Sequence, residues 1–162
     1  MYVARDDEHL LLELYLSRYR RFVALAAALC GSVAAGEDVV QEAYVRLFAR
    51  PRRLRNPDAA EAYLRTVVLN LSRRQRGGAD LALVPDLAAR ADVAGDVERR
   101  RDLVAALAHL PRRQREAVAL RYLLDLTEQQ TADALGVGVG TVKSSTSRGL
   151  ASLATLMEGH RA

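Results

Sequence analysis

Apolar residues recur at three- and four-residue spacing along almost the whole chain. In the first such stretch, from His9 to Cys30, the recurring residues include Leu14, Phe22 and Ala26. This spacing is typical of an α-helix that buries one face. No segment alternates apolar and polar residues for the length of a strand, so the sequence predicts an all-α protein.

Prolines and glycines divide the periodic stretches into separate helices. Gly31, Pro51 and Pro111 interrupt the pattern, and Asn56 or Asp58 is the expected cap of the third helix. The predicted helices span residues 9–30, 34–49, 58–74, 97–110, 112–123, 128–135 and 141–157.

Residues 79–97 differ in composition from the rest of the chain. They are mostly small or acidic, include Pro85 and Gly95, and contain no aromatic residue. Such a composition predicts a flexible linker. The expected architecture is therefore two small helical domains, residues 1–78 and 98–162, joined by this linker.

Charge is unevenly distributed along the 162 residues. Residues 50–78 hold 8 basic and 2 acidic residues, and residues 98–162 hold 10 and 7. The linker between them holds 1 basic and 4 acidic residues. Two basic blocks on either side of an acidic segment predict two surfaces that face one polyanion.

The stretch GVGVGTVKSSTSRGL, residues 136–150, allows two interpretations. A P-loop needs its lysine directly after the last glycine, but Thr141 and Val142 separate Gly140 from Lys143. The dinucleotide motif Gly-x-Gly-x-x-Gly fails as well, and a predicted helix precedes the stretch where both motifs need a strand. These departures exclude a phosphate cradle.

A helix-turn-helix fits the same stretch better. Thr127 and Gln130 have the spacing of a capping box, and Gly136 can supply the positive φ of a sharp turn. Thr141 is then expected to cap the second helix, with Val142 facing inward. The outward residues of that helix could contact DNA: Lys143, Ser144, Ser147 and Arg148. From this stretch alone, an ordinary helical hairpin with a solvated polar face remains the alternative.

Longer segments carry a family resemblance. EDVVQEAYVRLFAR (37–50) and NPDAAEAYLRTVVLNLSRRQR (56–76) resemble region 2 of bacterial sigma factors. LPRRQREAVALRYLLDLTEQQTADALGVGVGTVKSSTSRGLASL (110–153) resembles region 4. With only these regions and a short linker, the chain resembles an extracytoplasmic-function (group IV) sigma factor of the sigma-70 family. The resemblance implies a three-helix-type bundle for region 2 and a helix-turn-helix domain for region 4.

The resemblance implies two partners, core RNA polymerase and promoter DNA. Asp38, Gln41 and Glu42 share one helix face because they stand at i, i+3 and i+4. In the family this face binds the clamp helices of the β′ subunit, and the β subunit provides a further contact. From the residues alone, a polar face that meets only water is the simpler interpretation.

The resemblance also places the −10 element against the loop at about residues 50–58 and the helix after it. Arginine suits this role because its planar fork binds phosphate oxygens bidentately. The expected −10 contacts are Arg52, Arg53, Arg55, Asn56, Arg65, Asn70, Arg73, Arg74 and Arg76.

Region 4 is expected to read the −35 element. The expected contacts are Arg112, Arg115, Arg121, Thr141, Lys143, Ser144, Ser147 and Arg148. Many relatives carry a basic residue where this chain has Ser145 and an apolar one where it has Thr146. Fewer charges on the reading helix imply a weaker electrostatic attraction, and the −35 base preference cannot be carried over.

The expected function is promoter recognition and transcription initiation as a polymerase specificity subunit. No nucleophile–base pair, metal-ligand cluster or cofactor motif is evident in the sequence, so we expect no enzyme activity, cofactor or metal. One alternative is a stand-alone helix-turn-helix regulator with an N-terminal helical dimerisation or effector domain, which would bind its operator tightly without polymerase. Another is a helical sequestering protein, which would need no arginine block.

The cellular setting is expected to be the cytoplasm. Cys30 is the single cysteine, so no internal disulfide can form. We expect no membrane insertion, because no stretch is long and apolar enough and the N-terminus lacks the pattern of a signal peptide. The sequence leaves open whether an anti-sigma factor holds the chain inactive.

Overall fold

The computed structural model of the protein describes residues 3–50, 56–76 and 96–161. These residues form helices and short turns, with no strand among them, which confirms the all-α prediction. The helices are α1 (Val3–Cys30), α2 (Val33–Phe48), α3 (Pro57–Arg76), α4 (Asp96–Ala108), α5 (Arg112–Leu123), α6 (Glu128–Leu135) and α7 (Val139–Arg161).

Helices α1, α2 and α3 form a bundle with an apolar interior. Its largest fully buried side chains include Phe22, Leu25, Leu47 and Leu64. Helices α1 and α2 cross closely at Gly36, where a Cβ atom would lie 2.6 Å from the backbone nitrogen of Ala27. The glycine therefore allows the two backbones to approach without a clash.

An aromatic group extends the bundle toward the start of α1. Tyr44 of α2 contacts Tyr15 edge-on, with ring centroids 5.0 Å apart, and Tyr15 stacks on Tyr19 at 4.8 Å. Burial raises the pKa of the Tyr44 phenol well above its usual value. The ring therefore stays neutral and serves as part of the packed interior.

Helices α4 to α7 form the second half of the chain. Val104, Leu107 and Leu110 pack with Val118 of α5 and Leu153 of α7. The α5–α6 turn is closed by the backbone N–H of Leu126, which donates to the carbonyl of Leu120 at 3.2 Å.

The two halves pack against each other. Helix α1 contacts both α4 and α5, and α3 contacts α6. Leu120, Leu124 and Leu126 belong to the same buried cluster as the interior of α1–α3. Of the predicted linker, residues 79–95 lie outside the described residues, and Asp96 already begins α4.

The observed ends of two helices correct the predictions. Helix α1 begins at Val3 and not at His9. Helix α7 begins at Val139, because the N–H of Val142 donates to the carbonyl of Gly138 at 3.1 Å. Thr141 therefore lies inside the first turn of α7 and does not cap it, as the sequence had suggested.

Candidate functional site

The α6–α7 pair has the local geometry of a helix-turn-helix. Thr127 and Gln130 form the predicted capping box. The N–H of Gln130 donates to the Thr127 hydroxyl at 3.1 Å, and the N–H of Thr127 donates to the side-chain oxygen of Gln130 at 2.9 Å. Gly136 ends α6 in the left-handed conformation, at φ 66°. Val142 is buried beyond the turn. The predictions of a capping box at Thr127, a turn glycine at Gly136 and an inward-facing Val142 are confirmed.

The exposed face of α7 carries the residues expected to read DNA. Lys143, Ser144, Ser147 and Arg148 are all exposed, whereas Thr141 is half-buried. The Nζ atom of Lys143 lies 3.8 Å from a carboxylate oxygen of Glu128 on α6. This face therefore presents two cations and two hydroxyls to the surroundings of the chain.

Two arginines of α5 donate hydrogen bonds to backbone carbonyls. Arg115 is buried and donates to the carbonyls of Leu107 and Leu110, at 3.1 and 2.6 Å. Arg121 donates to the carbonyl of Leu126. Their expected contact with DNA stays a prediction, and in this structure both guanidinium groups donate to backbone carbonyls at turns. Arg112, in contrast, is exposed.

A second polar surface runs along α3. Thr66, Asn70 and Arg74 are exposed at four-residue spacing, so they lie on one face. The guanidinium of Arg50 lies over the ring of Tyr63 one turn earlier, 5.6 Å from its centroid. Arg50, Tyr63 and Thr66 were not among the expected contacts. Tyr63 and Thr66 lie on the same face of α3, and Arg50 reaches this face by its contact with the ring of Tyr63.

Two other arginines of α3 are held by acidic side chains. Arg65 is mostly covered and lies 3.8 Å from Glu61. Arg73 donates two hydrogen bonds to Glu116 of α5, at 2.8 and 2.9 Å. The hydrogen bonds that Arg73 donates to Glu116 raise the pKa of Arg73 above its already high value, so this side chain is fully charged.

Part of the expected −10 contact set cannot be placed. Arg52, Arg53 and Arg55 lie outside the described residues. Asn56 is exposed, and its side-chain oxygen accepts from the N–H of Asp58 at 3.1 Å, so Asn56 and not Asp58 caps α3. Arg76 is the last residue of α3, and only its backbone is described.

The acidic face of α2 is exposed. Asp38, Gln41 and Glu42 are exposed, and Glu42 accepts from Arg46 at 3.0 Å. Val45, adjacent to Gln41 and Glu42 on this face, is 61 % exposed. Phe48, predicted for the apolar face, is 45 % exposed at the end of the same helix. The face therefore combines acidic groups with apolar side chains that are largely exposed.

Among the residues that the structure describes, no group of histidine, cysteine and acidic side chains could hold a metal ion. Within the same residues, no helix combines the length and apolar character needed to cross a bilayer.

Two segments of the chain match known family models. Residues 14–80 match Sigma-70 region 2, and residues 100–153 match Sigma-70 region 4. The RNA polymerase sigma-E factor of Streptomyces avermitilis is 34 % identical over 126 residues, which cover 75 % of this chain and 70 % of that protein. The chain belongs to the sigma-70 family of RNA polymerase sigma factors.

Further relatives fall in the extracytoplasmic-function (ECF) group. The ECF RNA polymerase sigma factor SigM of Mycobacterium tuberculosis is 30 % identical over 154 residues, covering 93 % of this chain and 79 % of that protein. The ECF RNA polymerase sigma factor SigE of Mycolicibacterium smegmatis is 30 % identical over 159 residues, covering 91 % of this chain and 62 % of that protein. The resemblance found in the sequence is confirmed.

This sigma factor therefore acts in promoter recognition and transcription initiation, with core RNA polymerase and promoter DNA as its partners. Members of the family are DNA-binding initiation factors. Family membership favours this function over the two alternatives considered for the sequence, the stand-alone regulator and the sequestering protein.

Proposed function

We propose that this sigma factor binds polymerase, the −10 element and the −35 element through three different surfaces. The acidic face of α2 binds the clamp helices of the polymerase β′ subunit. The loop before α3 and the exposed stripe on α3 hold the −10 element, and the exposed face of α7 reads the −35 element. The −10 and −35 sites belong to residues 1–78 and 98–162, with residues 79–97 connecting them.

The observation that carries this proposal is the segregation of charge among exposed faces. Asp38 and Glu42 are exposed on α2, and Arg74 and Arg148 are exposed on α3 and α7. A face rich in carboxylates is repelled by DNA phosphates, whereas guanidinium groups are attracted to them. The polymerase contact and the DNA contacts are thereby assigned to different surfaces.

The apolar side chains on α2 support a protein partner for that face. Val45 and Phe48 lie beside the carboxylates, and protein interfaces combine an apolar centre with a polar rim. An anti-sigma factor that covered this face would compete with polymerase and hold the chain inactive in the cytoplasm. The β subunit would contact region 4 when both regions are engaged.

For the −35 element, the proposed contacts are Lys143, Ser144, Ser147 and Arg148, with Arg112 on the flanking backbone. Thr141 is placed at the edge of this set because it is half-buried. Arg115 and Arg121 are left out, since their guanidinium groups bond backbone carbonyls. For the −10 element, the contacts are Asn70, Arg74 and the preceding arginine-rich loop, with Arg50 and Tyr63 added.

Run-off transcription tests the proposed function. Core RNA polymerase is incubated with promoter templates selected from a library of randomised sequences, with and without the purified chain. Transcripts should appear only with the chain, and templates altered at either element should lose them. Equal transcription without the chain would contradict the proposal. Tight operator-like DNA binding by the chain alone would favour a stand-alone regulator.

A further inference from the structure

The exposed side chain of Ser144 lies near the N-terminal end of α7, which begins at Val139. In a helix-turn-helix, the residues at this end of the second helix are the ones that reach base edges in the major groove. Whether the Ser144 hydroxyl donates or accepts there therefore decides which bases it can contact.

The proton of this hydroxyl is already used inside the helix. Oγ of Ser144 lies 3.1 Å from the carbonyl oxygen of Thr141, and Ser144 is the donor because a carbonyl oxygen can only accept. A serine hydroxyl has one proton and two acceptor lone pairs. As long as the bond to Thr141 is kept, Ser144 can only accept a hydrogen bond from DNA.

Ser147, on the same exposed face of α7, is different. Within residues 3–50, 56–76 and 96–161, its hydroxyl makes no hydrogen bond. A hydroxyl whose proton is not engaged pairs with donors and acceptors alike. Ser147 therefore has no fixed preference between the two kinds of base edge.

The DNA backbone does not suit a group that only accepts. Phosphate oxygens are acceptors themselves, so they pair with donors such as the ammonium of Lys143 and the guanidinium of Arg148. To donate to a phosphate, Ser144 would have to give up its bond to Thr141. The base edges are thus the part of the DNA that matches Ser144.

Two groups in the major groove donate hydrogen bonds, the N4 amino group of cytosine and the N6 amino group of adenine. Guanine presents the acceptors N7 and O6 in the groove, and thymine presents the acceptor O4. An accepting hydroxyl complements the amino bases. Opposite guanine or thymine it would place two acceptors against each other.

We propose that Ser144 is a specificity-determining residue of the −35 surface, which selects at one position a base with an amino group in the major groove, adenine or cytosine. The proposal rests on the proposed function, because it assumes that the exposed face of α7 enters the major groove of the −35 element.

The size of the preference follows from the bond that is lost. Opposite guanine or thymine, the hydroxyl either leaves its bond to Thr141 or stays unpaired with the base. Either choice costs one neutral hydrogen bond, which corresponds to about threefold to tenfold in affinity.

The test uses holoenzyme assembled from core polymerase and the full chain, on the promoter found by run-off selection. Competition binding compares templates that carry each of the four base pairs at each position of the −35 element. Ser144→Ala removes the accepting hydroxyl, and Ser147→Ala removes the unrestricted hydroxyl of the same face. Thr155→Ala is the matched control: this exposed hydroxyl of α7 also donates to a carbonyl, that of Ala151 at 3.2 Å, but lies outside the proposed −35 contacts.

For the wild type, one position should accept adenine and cytosine equally on one strand and disfavour guanine and thymine by about threefold to tenfold. Ser144→Ala should abolish this preference at that position alone. Ser147→Ala should leave that position unchanged, and Thr155→Ala should leave every position unchanged. Base preferences that are the same for wild type and Ser144→Ala would overturn the proposal.

A base analogue tests the same contact without a change in the protein. 2-Aminopurine pairs with thymine as adenine does, but it carries no amino group in the major groove. At the selected position it should weaken binding by the wild type about as much as guanine or thymine does, and leave binding by Ser144→Ala unchanged. An equal loss of affinity for both proteins would contradict the proposal even if Ser144→Ala altered the base preferences.

Failure of the proposed function is a different result. A wild-type chain that directs no run-off transcription by core polymerase would contradict the function. The base preference is then measured on DNA that the free chain selects from the randomised library, with the same variants and the same deciding outcomes.

Discussion

Gly149 of α7 lies directly against Val118 of α5. A Cβ atom at position 149 would be 2.7 Å from Cγ2 of Val118 and 3.4 Å from Cβ of Gln114. Helix α5 can approach α7 this closely because position 149 has no side chain. The crossing holds α7, with its exposed reading face, at a fixed angle to the rest of region 4.

Gly149→Ala should therefore destabilise the protein by about 1–3 kcal/mol, because the added methyl group overpacks this crossing. The sign is informative, since alanine in a helix interior otherwise stabilises relative to glycine by about 0.5–1 kcal/mol. Gly159→Ala on the same helix is the control, because no atom lies within 4 Å of its added Cβ. Thermal unfolding should show a lower Tm for the first variant and an unchanged or higher Tm for the second.

Arg115→Ala should also destabilise the protein, by about 3 kcal/mol. The substitution leaves the carbonyls of Leu107 and Leu110 without their charged donor in a buried setting. Arg113→Ala, two residues earlier on the exposed surface, should leave the Tm near wild type. A normal Tm for Arg115→Ala combined with weakened DNA binding would restore the phosphate contact that the sequence suggested.

Features that depend on neighbouring residues were predictable from the sequence. The helix periodicity, the capping box of Thr127 and the turn at Gly136 are set within a few residues, so their local pattern is sufficient. The exposed positions of Asp38 and Lys143 followed from the same periodicity.

Features that depend on distant residues were not predictable in this way. Arg73 meets Glu116, which is 43 positions away, and an arginine on a polar helix face gives no sign of such a partner. Arg115 and Arg121 were expected to contact DNA from the family resemblance, yet both donate to backbone carbonyls that are brought near them only at the turns of the folded chain. The close approach at Gly149 likewise depends on where α5 lies.

Reversal of charge on α2 tests the polymerase contact. Asp38→Arg combined with Glu42→Arg should abolish co-purification with core polymerase while the helical signal and Tm remain near wild type, because both side chains are exposed. The control reverses the same number of charges on exposed positions of region 4, Asp102→Arg with Glu158→Arg. Co-purification of the α2 variant at the wild-type level would mean that polymerase binds elsewhere.

The turn between α6 and α7 is expected to tolerate only glycine at position 136. Gly136 has φ 66°, a conformation that costs a residue with a side chain about 1–2 kcal/mol. Gly136→Val should therefore lower the Tm and abolish −35-dependent transcription. Gly138→Ala and Gly140→Ala should be tolerated, because neither position has a positive φ or an atom within 4 Å of the added Cβ. Equal stability of all three variants would refute the strained turn.

Lys143 and Arg148 should act on DNA binding and not on folding, since both are exposed on α7. Replacing either with alanine should leave the Tm near wild type, weaken promoter binding by the holoenzyme, and reduce the slope of log K against log salt by about 0.9 per lost phosphate contact. Glu128→Gln is a matched variant, because it removes the carboxylate 3.8 Å from Lys143 and should strengthen binding through the same lysine. Ser144→Ala and Ser147→Ala should change the preferred −35 sequence more than the overall affinity, because hydroxyl groups contact base edges without adding charge. If the salt slope is the same for wild type, Lys143→Ala and Arg148→Ala, the exposed face of α7 does not contact the phosphates, and another surface of region 4 must bind the −35 element.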